Sequence, residues 1–214
     1  MKRLQGVYLV IDPKQSWQLL LQKLEAALKG GIQVVQIWDH WSDGISRDLK
    51  KEFANDVKTL AHRFEVPVLM HDDWQFASEA GLDGVHFDTA PDNIDEVKAQ
   101  LRDHYIGLTV GNDLQQIRWA DKMGLSYISF CAVFPSPSVD SCEIVDQENI
   151  KAARQITDLP IFLSGGITKD NLSHLQMLAF EGIAVISGVL SAPDPEEAVV
   201  AYLQELKKLE KVSS

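Results

Sequence analysis

Cysteine is scarce: Cys131 and Cys142 are the only two in 214 residues. Two such residues supply neither a disulfide framework nor metal-type spacing, so a reducing, cytoplasmic setting is expected. Positive charge is also short, with 20 Lys+Arg against 31 Asp+Glu and a formal net charge of −11. Nucleic acid and anionic membranes both demand a basic footprint, so neither is expected as a partner. Long apolar runs are missing, and no stretch is long enough to span a bilayer. The run behind Met1-Lys2-Arg3 is cut short by Asp12-Pro13-Lys14, which is not the pattern of a secretion signal. What remains, 45% hydrophobic and 24% charged residues, is the composition of an ordinary globular chain, read as one domain over residues 1–214.

Short apolar runs alternate with amphipathic segments along that domain. Strands are expected at residues 7–11, 32–37, 66–70, 84–87, 105–109, 126–130, 160–164 and 182–187, each followed by a helical segment. The helix after the first run carries Leu19, Leu20, Leu24, Ala27 and Leu28, and a later one carries Leu49, Phe53, Val57 and Leu60 on one face. The seventh helix is expected over residues 168–178 and the last from about Pro195. Eight repeats with a period of roughly 25 residues give the count a closed (β/α)8 TIM barrel requires. An open doubly wound sheet usually stops at five or six strands.

In such a barrel the chemistry sits at the C-terminal ends of the strands. Two glycine turns stand out there, Ser164-Gly165-Gly166-Ile167 and Ile186-Ser187-Gly188-Val189. Glycines let backbone N–H groups approach an anion, and the last two strands of a barrel commonly hold a phosphate in this way. The other strand ends supply Asp12, Gln36, Trp38, His40, His71, Asp72, Asp73, Asp88 and Thr109. Asp72 and Asp88 are either ligands for a shared Mg²⁺ or caps of the following helices, and the cap is favoured for Asp73. His40 and His71 are either acid–base groups or polar rim residues. Trp38, Trp41 and Trp74 form either an aromatic wall for a flat heterocycle or packing between loops. His86 is read as a buried, satisfied side chain and Cys131 as a small core residue.

The order of these motifs resembles one family, thiamine phosphate synthase with its relatives the thiazole tautomerases. The likeness runs from Tyr8-Leu-Val-Ile-Asp12 through Gln36, Asp72, Gly84-Val-His-Phe87, Ile106-Gly-Leu-Thr109 and Val133-Phe-Pro-Ser-Pro-Ser138 to Ser164-Gly-Gly-Ile167 and Ile186-Ser187. It implies a barrel that joins an aminopyrimidine pyrophosphate to a thiazole phosphate with Mg²⁺, releasing pyrophosphate, and by analogy a homodimer. Carried over by position, Gln36 would hold the pyrimidine and Asp72 the metal. Thr109 matches a family serine, and Ser136, Ser138, Gly165, Gly166, Ile186 and Ser187 would hold phosphates. The family's second metal aspartate falls at about Pro91, with Asp88 or Asp92 as substitutes.

The chain departs from the family where the family carries positive charge. Trp38 and His40 stand for an arginine and a lysine, Val139 for another lysine, and His71 for an asparagine. The tautomerase histidine corresponds to Ala132. The chain is therefore read first as a thiamine phosphate synthase with altered residues, with Gln36, His40 and His71 in the catalytic positions. The alternatives are a divergent enzyme on one phosphorylated heterocycle or sugar, with His40 or His71 as acid–base, and a non-catalytic module that binds a phosphorylated ligand.

Overall fold

The computed structural model describes residues 2–135 and 143–212. Eight strands, β1 (Gly6–Ile11), β2 (Val34–Ile37), β3 (Val68–His71), β4 (Gly84–Phe87), β5 (Tyr105–Thr109), β6 (Tyr127–Phe130), β7 (Ile161–Ser164) and β8 (Gly182–Val185), close a barrel in sequence order. All pairings are parallel, and β1 closes the ring by pairing Tyr8 with Val34 on one side and with Ala184 on the other. The helices are α1 (Trp17–Gly30), α2 (Arg47–His62), α3 (Trp74–Ala80), α4 (Ile94–Gln100), α5 (Leu114–Lys122), α6 (Gln147–Ala153), a short α7 (Ser187–Leu190) and α8 (Pro195–Val212). The expected TIM barrel is the fold observed.

Local chemistry accounts for the joints. Buried Phe53, Ala54, Val57, Leu60 and Ala61 recur at helical spacing along α2, whose first turn is capped by Ser46 accepting from the Leu49 N–H at 3.3 Å. Asp73 caps α3 through the Phe76 N–H at 2.7 Å, as its position suggested. Gly81 ends that helix in the left-handed region at φ 61.

Two stretches differ from expectation. In place of a helix over residues 168–178 there is only a 3₁₀ helix, Leu172–Leu175. The Asn171 side chain takes over the local bonding, accepting from the Thr168 N–H at 2.9 Å and donating to the Gly166 carbonyl at 2.8 Å. Such side-chain to backbone bonds compete with helical ones. The eighth strand stops at Val185 rather than running to Ser187, because Ser187 already opens α7.

The strands face two cores. Outward residues such as Val7, Leu9, Ile11, Val35 and Ile37 pack under the helices. Inside the barrel, Tyr8, Val34, Leu69, Tyr127 and Phe162 form a separate cluster with Leu4. Its aromatic rings meet edge to face: Tyr8 and Phe162 have centroids 5.4 Å apart at 79°, Tyr127 and Phe162 5.5 Å apart at 73°. Rings of this size fit because their neighbours are glycines. A Cβ at Gly107 would fall on the Tyr127 ring, and one at Gly182 on the Phe162 ring. Gly107→Ala is therefore expected to destabilise the barrel by about 1–3 kcal/mol through overpacking. A lower urea midpoint at unchanged slope is the result to look for.

Candidate active site

Five polar side chains inside the barrel join into one line. The Tyr8 hydroxyl donates to Gln36 Oε1 at 2.6 Å, which uses its single hydrogen. The Tyr127 hydroxyl, 3.0 Å away, must then donate to Tyr8. Tyr127 in turn accepts from His86 Nδ1 at 2.9 Å, leaving His86 Nε2 to accept from the Thr109 hydroxyl, also at 2.9 Å. With a single proton on the ring, the line places it on Nδ1 and makes Nε2 the acceptor, at 2.9 Å the nearer of the two acceptors open to the Thr109 hydroxyl, the other being Asp88 Oδ1 at 3.5 Å. Burial does keep the ring neutral, pushing the imidazole down to about 4 against the opposing pull of the Asp88 carboxylate. Burial likewise raises both tyrosines, so their hydroxyls remain protonated. His86 is thus buried and satisfied, as expected, but it is also a link in the line that joins Gln36 to Thr109.

A second group sits at the ends of β3 and β4. His71 Nε2 lies 2.9 Å from an oxygen of Asp88 and 3.5 Å from one of Asp72, and the Asp88 N–H donates to Asp72 Oδ1 at 3.0 Å. Asp72 is therefore no helix cap; Asp73 holds that role. Burial pulls the His71 imidazolium down, but the bond to Asp88 and the charges of Asp88, Asp72 and Asp39 raise it on balance. The bond from His71 holds the Asp88 carboxyl below its usual range. His71, Asp72 and Asp88 offer ligand atoms within 4.8 Å of one another. The two carboxylates suit a hard cation such as Mg²⁺. A metal on His71 Nε2 would instead force the proton onto Nδ1, which is buried and has no partner among the described residues. The oxygens fit the ion, with His71 as a hydrogen-bond donor to Asp88. Asp92 does not join this group.

Beside it, His40 Nδ1 lies 3.2 Å from Asp12 Oδ1, and the Trp38 and His40 rings stand 4.7 Å apart. Of the three tryptophans only Trp38 takes this rim position. Trp41 packs edge-on against Phe53 and Phe76 between α2 and α3, and Trp74 packs on the outer core.

The opposite side of the mouth is backbone. Gly165 and Gly166 have φ of 84 and 64, and a Cβ on Gly166 would collide with the Phe134 and Pro135 carbonyls. Carbonyl partners aim the amides here, because C=O and N–H point opposite ways across a trans peptide. The Gly165 carbonyl accepts from the Phe134 N–H at 3.1 Å and the Gly166 carbonyl from Asn171. The N–H groups of Gly166 and Ile167 are thereby turned outward. These two, with those of Ser187 and Gly188 at the start of α7, donate to no acceptor among the described residues. Glycine turns after strands 7 and 8, joined to a short extra helix, form the usual phosphate cradle of a barrel. Ile186 precedes that helix and is half-buried. Ser136, Ser138 and Val139 lie outside the described residues.

The model of a family described as thiamine monophosphate synthase matches residues 7–189. The chain belongs to the thiamine monophosphate synthase family. It is 31% identical over 194 residues to the thiamine-phosphate synthase of Thiobacillus denitrificans, covering 90% of each chain. It is 29% identical over 209 residues to that of Bacillus licheniformis, covering 97% of this chain and 93% of the other. A solved thiamine phosphate pyrophosphorylase from Pyrococcus furiosus superposes with a TM-score of 0.80 at 22% identity over 96% of both chains. An orotidine 5'-phosphate decarboxylase from Pyrococcus horikoshii reaches 0.69 at 14% identity, over 94% of this chain and 99% of that one. At those identities the likeness is one of fold. In this member of the thiamine monophosphate synthase family, the two interior tyrosines are the site-forming residues that motif reading passed over. Their signal is the period of two: Tyr8, Gln36, His86, Thr109 and Tyr127 are inward positions in otherwise apolar strands.

His86 makes the site sensitive to acid. Its folded pKa lies below the unfolded value of about 6.5, so between about pH 6.5 and 4 the unfolded chain binds a proton that the folded one refuses. The His86 contribution to stability is full above that window and falls as pH drops, by on the order of 3 kcal/mol at its lower end. His86→Gln is expected to lower stability at pH 8 yet flatten this slope. Parallel urea titrations from pH 8 to 4 would test it, and equal slopes for variant and parent would refute it.

Proposed function

We propose that the protein is a thiamine phosphate synthase that joins an aminopyrimidine pyrophosphate to a thiazole phosphate. The observation that carries this reading is the split mouth: four uncommitted amides on one side, a carboxylate pair suited to a hard cation on the other, and a neutral hydrogen-bonding line between them. The amides of Gly166, Ile167, Ser187 and Gly188 take the thiazole phosphate, joined by Ser136 and Ser138. Gln36 takes the pyrimidine. Tyr8 occupies its carbonyl oxygen, which leaves the amide nitrogen for a ring acceptor. Trp38 offers its face to the ring.

In the reaction the bond between the pyrimidine methylene carbon and the diphosphate oxygen breaks, and that oxygen keeps the electron pair. The thiazole nitrogen then gives its lone pair to the carbon, and pyrophosphate leaves. Asp72 and Asp88 would hold Mg²⁺, which supplies charge neutralisation for the departing diphosphate. His40, oriented by Asp12, stands where the family has lysine, beside the diphosphate. The neutral interior line gives the developing cation no competing base, since burial keeps both tyrosines protonated. A homodimer and a cytoplasmic location accompany this reading as family expectations.

The two histidine–carboxylate pairs, His40 with Asp12 and His71 with Asp88, favour one alternative, acid–base chemistry on a single phosphorylated heterocycle. Calorimetric titration separates the two. A synthase binds thiazole phosphate without metal and pyrophosphate only with Mg²⁺. Binding of thiazole phosphate alone, with or without Mg²⁺, would sink the synthase reading. Asp72→Asn is expected to weaken Mg²⁺-dependent pyrophosphate binding at least tenfold, about 1.4 kcal/mol, and to leave thiazole phosphate affinity unchanged.

A further inference from the structure

The two amide-bearing turns follow neighbouring strands whose ladder ends at the Ser164–Ala184 pair, and beyond that pair no backbone hydrogen bond joins residues 165–167 to 186–188 among the described residues. A side chain from α8 touches both. Tyr202 is 4% exposed and packs in the outer core. Its hydroxyl donates to the Ile167 carbonyl of the first turn at 3.2 Å. The same hydroxyl fills the space beside Gly188 of the second turn: a Cβ built there would fall on it, with the ring carbon Cζ 3.2 Å away. Gly188 is not in the left-handed region, so its lack of a side chain answers to Tyr202 and not to backbone strain. Burial raises the Tyr202 pKa, and the group stays a donor.

We propose that Tyr202 is a positioning residue of the phosphate site, its buried hydroxyl holding the two turns at the spacing that lets their amides share one phosphate. This rests on the phosphate reading given above. The Thr168 N–H on the same peptide plane is already taken by Asn171 at 2.9 Å, so with Tyr202 the plane that follows Ile167 is held at both ends. Phenylalanine would keep the ring and the packing but leave the Ile167 carbonyl without its donor, and the plane that follows Ile167 would be held at its Thr168 end alone. Helix α8, which lies against α1, α7, β1 and the 3₁₀ helix, thereby becomes part of the site without touching the ligand.

The test is calorimetry on Tyr202→Phe, Gly188→Ala and the double variant, with thiazole phosphate, inorganic phosphate, and pyrophosphate plus Mg²⁺ as probes. Tyr202→Phe is expected to weaken thiazole phosphate and inorganic phosphate about five- to tenfold, the scale of one lost buried hydrogen bond. Mg²⁺–pyrophosphate affinity should hold, a selectivity that general loosening of the fold would not produce. Gly188→Ala should weaken phosphate binding more in the parent than in the Tyr202→Phe background, where the colliding oxygen is gone. Equal thiazole phosphate affinity in Tyr202→Phe and parent, or a Gly188→Ala effect independent of background, would overturn the proposal. A parent that binds neither thiazole phosphate nor inorganic phosphate would overturn the phosphate reading itself, and with it this inference. Should Gly188→Ala fail to fold, the contrast between phosphate and pyrophosphate in Tyr202→Phe still decides.

Discussion

The structure depends on keeping a polar line satisfied inside a barrel that is otherwise filled with apolar side chains. Gln36, Tyr8, Tyr127, His86 and Thr109 each use the hydrogen-bonding capacity of the next, and a break would leave a buried donor or acceptor unpaired at about 1–3 kcal/mol. Such a line specifies more than it stabilises. It fixes the His86 tautomer, the direction of every hydroxyl and the face that Gln36 offers to the mouth. Gly107 and Gly182 are the complement of the same design, since the rings packed inside the barrel need the volume those residues vacate.

The electrostatics of the mouth follow from what surrounds this line. Asp12, Asp72 and Asp88 stand at the strand ends, and the groups paired with them are histidines rather than arginines or lysines. In a chain already at −11, an anionic ligand enters that side only with a cation. The opposite side needs none, because its positive character is built from amide N–H groups that carry no net charge and do not titrate.

Much of this was legible before any coordinates. The regular alternation of apolar runs and amphipathic segments identified the barrel, and the glycine turns stand after β7 and β8 where they were expected, because glycine conformational freedom and strand periodicity are local properties. Asp73 as a cap was legible for the same reason. The 3₁₀ helix at Leu172–Leu175 was not, since a helical pattern of apolar residues there lost to the bonding of a single asparagine. Tyr8 and Tyr127 were missed as site residues because their partners lie 28 and 41 positions away. Spacing along the chain carries no trace of such contacts. Trp38, Trp41 and Trp74 could not be separated by type, as only the direction of the loop after β2 decides which ring meets the mouth and which meets Phe53.

The two halves of the mouth also differ in what a mutation can do to them. On the phosphate side, the groups aimed at a ligand are main-chain amides, those of the first turn oriented by the Phe134 N–H, by Asn171 and by packing against Phe134. Changing a side chain there leaves the donors in place unless it moves the turn. On the metal side, each functional atom is the end of a side chain, so one substitution exchanges it outright. By the resemblance of the sequence, histidine at positions 40 and 71 and tryptophan at 38 are such exchanges, whereas a Cβ at Gly165 or Gly166 would strike neighbouring backbone. A site made of backbone persists under the constraint that keeps the fold, while a site made of side chains persists only under selection for the chemistry. The carboxylate side of the mouth, proposed above to take the diphosphate, is therefore where this member of the family has room to differ in its metal and its partner substrate.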